Sequence, residues 1–215
     1  MKIRKVLSYD DVLLEPTNTK ITSRSNTNTE TYLKLNGYDT FKFSGPLIAS
    51  PMSTVCGPEM CIEMAQLGCM GILHRGYPFI SIQKKIEAID QIIKAGVGFD
   101  KFGIAIGCKN SDFEQALQLA DAGVKIMCVD VANGHNIIVV KFIEKIKRLL
   151  PNVHIMTGNI ATPIGIKDLV NAGTDSIRIG IGGGHACTTR VNTGVGIPTF
   201  QSVLDCHQWI FENPE

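Results

Sequence analysis

The sequence predicts an α/β fold, a (β/α)8 TIM barrel that this chain carries only in part, with about six of the eight βα units. Three observations lead there. Short apolar segments alternate with amphipathic ones from residue 46 onward. The amphipathic segments stop at Gly68, Gly96, Gly123, Pro151 and Gly173. The spacing between these stops is nearly even, and each interval holds one strand, one helix and two short loops. Finally, Ser50, Met52, His74, Asp130, Asn159 and Cys187 all fall at the C-terminal ends of apolar segments, the rim where barrels place their chemistry. A doubly wound open sheet begins in the same way, but it needs a long crossover that the even period leaves no room for.

Each element has its own justification. Residues 1–45 show no helical period: Asp10–Pro16 reads as extended, and Ile21–Thr31 as loop and short hairpin, covering the barrel's bottom or joining a subunit interface. From 46 to 215 the partial barrel follows. Its strands are expected at Pro46–Met52, Cys69–His74, Phe102–Gly107, Lys125–Ala132, His154–Ile160 and Ser176–Gly182. Helices are expected at Gly57–Leu67, Ser81–Lys94, Ser111–Ala122, Asn136–Leu150, Thr162–Ala172 and Thr199–Phe211. Ser111 with Glu114 forms a capping box, and Thr162 precedes a proline at the first helical position. Gly68, Gly96, Gly123 and Gly173 sit where a left-handed C-cap is needed. Val139, Phe142, Ile143, Ile146, Leu149 and Leu150 make one buried stripe on the fourth helix. After the sixth helix the chain stops at Asn213-Pro-Glu215, where a loop into a seventh strand is expected.

Composition excludes several classes of function. A chain of 215 residues supports one sizeable core. The formal charge of +1 gives no electrostatic footprint for nucleic acid or an anionic membrane. No apolar run reaches the length of a membrane span, and the basic N-terminus lacks the apolar stretch of a secretory signal. Seven cysteines without a CxxC pair fit a reducing cytoplasm and argue against a disulfide framework or a zinc site.

The segment Gly180-Ile-Gly-Gly-Gly-His-Ala-Cys187-Thr-Thr-Arg190 is the most informative. It follows a β-branched strand and sets one cysteine among glycines 180, 182, 183, 184 and 194. Such glycines suit a loop that wraps a ligand or ion. A cysteine beside two threonine hydroxyls and Arg190 is a candidate nucleophile. The other reading is a glycine hinge with an inert cysteine.

With these residues placed, the chain resembles the IMP dehydrogenase/GMP reductase family from about Leu7 to Val203. The resemblance rests on an ordered set of motifs: Ser8-Tyr-Asp-Asp-Val-Leu-Leu-Glu-Pro16, Pro46-Leu-Ile-Ala-Ser-Pro-Met-Ser-Thr-Val55, Gly71-Ile-Leu-His-Arg75, Val129-Asp-Val-Ala-Asn-Gly-His135, Thr157-Gly-Asn-Ile-Ala-Thr162, Gly180–Arg190 and Thr193-Gly-Val-Gly196. The resemblance implies that a Cys187 thiolate attacks C2 of a purine nucleoside monophosphate, and that C2 exchanges a hydride with NAD or NADP. It implies that Thr189 handles the leaving group or water, and that Ser50 and Met52 touch the nucleotide. Asp130 would meet the cofactor ribose, with Gly158 and Asn159 beside the nicotinamide. Backbone carbonyls of Gly182, Gly184 and Cys187 would hold a monovalent cation, usually potassium.

The chain departs from the family pattern at several points. His185 stands where a serine normally bonds the substrate phosphate, Ser53 replaces an aspartate, and Arg75 is either a phosphate contact or a surface cation. No regulatory domain is inserted between the second and third strands. The phosphate loops of strands seven and eight and the mobile flap are not in the sequence, so the isolated chain is expected to be inactive. The resemblance implies a homo-oligomer, commonly a tetramer, or a complementary C-terminal half as partner.

Ser50-Pro-Met52 and Leu67–Leu73 lean toward NAD-dependent oxidation of IMP to XMP. The lack of an insertion, Thr22-Ser-Arg-Ser25 and Asp130–Gly134 lean toward NADPH-dependent reduction of GMP to IMP. A third reading is an inactive nucleotide-binding or scaffold subunit.

Overall fold

The computed structural model describes residues 4–34 and 40–213. Strands β1 (Thr31–Lys34) and β2 (Thr40–Phe43) pair antiparallel, with Thr31 opposite Phe43; the turn between them lies outside the described residues. Six parallel strands follow: β3 (Ile48–Ala49), β4 (Met70–Leu73), β5 (Phe102–Ile106), β6 (Ile126–Asp130), β7 (His154–Ile160) and β8 (Ser176–Ile179). They lie side by side in the order β3-β4-β5-β6-β7-β8, so every strand neighbours the next in sequence. There is no reversal of strand order of the doubly wound kind. The sheet is a curled, incomplete barrel. Helices α1 (Pro58–Gln66), α2 (Ile82–Lys94), α3 (Asn110–Asp121), α4 (Ile137–Leu149) and α5 (Pro163–Asn171) alternate with the strands, and α6 (Thr189–Thr193) and α7 (Thr199–Glu212) follow β8.

Strand periodicity sorts side chains to the two faces of the sheet. Leu73, Ile104, Ile106, Met127, Val129 and Ile155 pack outward against the helices, chiefly on Ile89, Ile92, Leu119, Ile143, Ile146 and Leu169. Met70, Ile72, Ala105, Ile126, Cys128 and Met156 form a second cluster inside the curl. Phe41 and Phe43 of β2 point into that cluster and are each 4% exposed. They meet the N-terminal ends of the strands, with Phe41 edge-on to His154 at 6.0 Å. The hairpin therefore floors the interior. Lys101 fastens it, donating from Nζ to the Lys42 carbonyl at 2.9 Å with the Phe43 ring 5.5 Å away.

The helix stops behave as the composition demands: Gly68, Gly96, Gly123 and Gly173 have φ of 71°, 86°, 96° and 95°. Other expectations need correction. Asp10–Pro16 is not extended throughout, because Tyr9–Asp11 is a 3-10 turn with Asp11 Oδ2 accepting from Ser8 N at 2.6 Å. The capping box at Ser111 and Glu114 does not form. Helix α3 starts two residues earlier, with Lys109 as N-cap and Asp112 Oδ2 accepting from Lys109 N at 2.8 Å. Strand β3 is two residues long rather than seven, because past Ala49 the backbone turns at once: Met52 N donates to Ser50 O at 2.8 Å.

Among the described residues, β3 and β8 each keep one edge unpaired. Beside β8, a cleft of about 810 Å³ opens between α5 and α7, lined in part by Ile177, Ile179, Trp209 and Ile210. The chain end at Pro214 and Glu215 lies outside the described residues. No helix among the described residues is long and apolar enough to cross a membrane.

Candidate active site

Strand β8 ends at Ile179 because Gly180 turns the chain, at φ 121°. The loop that follows is closed at its base by Ile197 N donating to Ile181 O at 3.1 Å. It rises through the glycines to Cys187 and runs into α6, a single turn that Gly194 caps at φ 68°. Sequence reasoning did not anticipate this short helix, since its residues are neither periodic nor strongly helix-forming.

Cys187 is half-buried, and its N–H donates to the Gly184 carbonyl at 3.1 Å. Hydrogen bonding from the Thr189 side chain, then from its backbone, holds the thiol pKa below its ordinary value, and the nearby Arg190 charge acts in the same direction. A thiol so placed is a better nucleophile near neutrality than an ordinary surface cysteine. Cys128, enclosed in the core, shows the opposite behaviour: burial pushes its pKa up to about 11.

The loop is tied to the neighbouring strand ends. Asn159 Nδ2 donates to Gly180 O at 2.8 Å. Its backbone N–H donates to Val131 O at 3.0 Å, and its carbonyl accepts from Gly134 N at 2.7 Å. Asp130, Gly158, Asn159 and the cysteine loop therefore form one connected rim. Asp130 Oδ1 lies 2.6 Å from Arg178 NH1, and Arg75 Nε donates to the Asp130 carbonyl at 3.1 Å. Gly158 gives Arg178 its space, since a Cβ at residue 158 would come 2.5 Å from Arg178 Cβ.

Arg178 was not singled out from the sequence. The signal was present: in Ser176-Ile-Arg-Ile the arginine shares the interior-facing parity with Ser176, and a charge aimed into a barrel needs a partner there.

Ser50 and Met52 sit at the C-terminal end of β3 and are both exposed. Met52 organises its own turn, its carbonyl accepting from Val55 N at 2.9 Å and Cys56 N at 3.0 Å. Among the described residues no hydrogen bond joins these two to the cysteine loop. His185 is almost wholly exposed, 3.9 Å from Asp10 Oδ2. Both line a cavity of about 470 Å³ with Tyr9, Gly182, Gly183, Gly184, Arg190 and Thr199. Cys187 and Thr189 do not line it. The N-terminal turn reaches this rim by docking on α7: Tyr9 packs edge-on to Phe200 at 5.5 Å, and Arg4 pairs with Asp205 at 2.7 Å.

The carbonyls of Gly182 and Gly184 both accept from Arg190 NH1, the latter at 2.9 Å. Two of the three residues implied to hold a monovalent cation, Gly182 and Gly184, thus already hold a guanidinium.

Comparison with known proteins agrees with the motifs and the fold. The IMP dehydrogenase / GMP reductase domain matches residues 6–213. GMP reductase of Buchnera aphidicola is 31% identical over 209 residues, and human GMP reductase 2 is 33% identical over 204, each aligned with 93% of this chain. The crystal structure of inosine 5′-monophosphate dehydrogenase from Legionella pneumophila superposes on 95% of this chain with a TM-score of 0.81 and 34% identity. This chain spans 56% of the length of those two reductases and 59% of that dehydrogenase chain. On the match of nearly its whole length, the chain belongs to the IMP dehydrogenase / GMP reductase family.

Proposed function

We propose that this chain is the cysteine-bearing part of a purine-nucleotide oxidoreductase, acting in the cytoplasm, that oxidises IMP to XMP with NAD as hydride acceptor. The observation that carries this reading is Cys187: a half-buried thiol of lowered pKa, in a loop tied by Asn159 to the Asp130 rim.

In this reading the Cys187 thiolate adds to C2 of the purine, and the C2 hydrogen leaves as hydride. Water then attacks C2, the C–S bond breaks and the thiol is regenerated. Thr189 stabilises the thiolate before attack and orients the water that releases it. When bound, NAD supplies the hydride acceptor. Asp130 fits a ribose-diol acceptor: Arg178 takes Oδ1, while Oδ2 lies 4.0 Å from Arg75 and keeps lone pairs for hydroxyl donors. Asn159 commits its Nδ2–H to Gly180, which leaves Oδ1 for an amide donor. No monovalent cation enters this reading.

The exposed Ser50 and Met52 form the nucleotide side of the mouth, and the exposed His185 is free to donate to a phosphate. The free edges of β3 and β8 require further strands to complete a closed barrel. Those strands come from additional polypeptide, either a continuation of the chain or a separate half, within a homo-oligomer.

A second reading, NADPH-dependent reduction of GMP to IMP, is favoured by the names of the curated relatives. The deciding experiment supplies the remaining βα units and follows absorbance of the reduced nicotinamide with IMP plus NAD and with GMP plus NADPH. Turnover in one direction only assigns the reaction. Turnover that survives Cys187→Ala removes both readings and leaves a scaffold or nucleotide-binding role for this cysteine loop.

A further inference from the structure

We propose that Arg190 is the resident cation of the cysteine loop, and that its guanidinium replaces the monovalent metal ion the resemblance implies at Gly182, Gly184 and Cys187. The loop would then be ordered without potassium.

Three features of the geometry converge. NH1 of Arg190 donates to the carbonyls of both Gly182 and Gly184. The Gly184 carbonyl also accepts from Cys187 N at 3.1 Å, so both of its acceptor positions are in use. An entering cation would have to displace a donor from the Gly184 oxygen and share the Gly182 oxygen with the guanidinium. Secondly, the space is shaped for the arginine stem. A Cβ on Gly182 or Gly196 would approach Arg190 Cβ to 3.1 or 3.2 Å, so these two glycines leave the channel through which the side chain turns back. Its backbone is fixed as well, since Gly194 N donates to Arg190 O at 3.0 Å.

Thirdly, among the described residues no carboxylate pairs with Arg190. Its guanidinium, on an exposed side chain, is held by peptide carbonyls, the same ligand type a bound monovalent cation would use. Besides the direct effect of its charge on Cys187, Arg190 is on this view a positioning residue that ties the Gly182 and Gly184 carbonyls together.

The test needs no nucleotide, so its outcome is separate from that of the proposed reaction. Alkylation of Cys187 by iodoacetamide is followed by mass spectrometry in potassium chloride and in tetramethylammonium chloride at equal ionic strength. The wild-type rate is expected to be the same in both salts. Arg190→Ala vacates the carbonyl pair. In that variant the rates in the two salts are expected to differ by on the order of ten-fold, the factor carried by one charge-assisted hydrogen bond.

A potassium-dependent rate in the wild type overturns the proposal, as does a variant that is equally indifferent to potassium. Should Arg190→Ala fail to fold, thallium-205 NMR on the wild type decides, thallium(I) standing in for potassium. No bound signal supports the resident guanidinium, and a saturable bound signal overturns it.

Discussion

Replacing Gly158 by alanine adds a single methyl group where β7 meets β8, with Arg178 directly opposite. The new carbon would lie 2.5 Å from Arg178 Cβ and 2.9 Å from the Arg178 carbonyl oxygen. Carbon–carbon contacts rest at about 3.5–4.0 Å, so the strands must part by roughly 1 Å or the side chain must leave. Gly158 does not have a positive φ. On backbone grounds alone, alanine would therefore stabilise by about 0.4–1 kcal/mol through the unfolded chain. Overpacking a well-filled site costs about 1–3 kcal/mol, and an obstacle that includes backbone places this one near the top of that range. The net expectation is a loss of about 2 kcal/mol, the difference between those two effects. Urea unfolding followed by far-ultraviolet circular dichroism measures it. A Gly158→Ala chain as stable as the parent, or more so, would show that the two strands do not meet as described, and with them the placement of Arg178 on Asp130 would fall.

Three further outcomes are expected. Phe41→Ala removes a buried ring from the floor of the barrel and should cost about 3–5 kcal/mol of unfolding free energy in the same assay; a loss below about 1 kcal/mol would mean the hairpin is not part of the core. Burial holds the His154 imidazole below its ordinary pKa of 6.5, so below pH 6.5 the unfolded chain binds a proton that the folded one refuses. Stability should therefore fall as pH drops through 6.5, with the buried His74 contributing in the same direction, and His154→Gln should flatten the slope. An unchanged slope in that variant would contradict the assignment. Thr189→Val removes the side-chain partner that most lowers the Cys187 pKa, so the pH–rate profile for alkylation of Cys187 should move upward. A profile that stays in place, or moves downward, would show that Thr189 does not stabilise the thiolate.

Much of the fold was legible because it obeys two periodicities and one punctuation rule. The stops at Gly68, Gly96, Gly123 and Gly173 are helix ends that need positive φ, and with Pro151 between the last two they mark successive βα units at near-equal spacing. The misplaced start of α3 shows the limit of cap reading: Ser111 and Asp112 both suit a first turn, and only the path of the chain out of β5 selects Lys109 as cap. What escaped was non-local. The partner of Asp130 lies 48 residues away on β8, and no local pattern announces it. The seat of Tyr9 and Asp10 beside the glycine loop joins segments nearly the whole chain apart. The carbonyls of Gly182 and Gly184 could be named as a cation cage from the motif. That Arg190 fills it depends on the single turn of α6 bringing the side chain back over the loop.

The most direct test concerns the sulfur of Cys187. The barrel, completed with its missing strands, is incubated with a 6-chloropurine ribonucleotide, and the modified peptide is located by mass spectrometry. A thiolate facing C2 in a purine pocket adds there, chloride leaves C6, and transfer of the C2 proton to C6 leaves the purine attached through a new C–S bond. Adduct on Cys187, suppressed by excess IMP and absent from Cys187→Ser, is the result predicted. Adduct spread without preference over Cys187 and the half-buried Cys108, or none in the completed barrel, would contradict it.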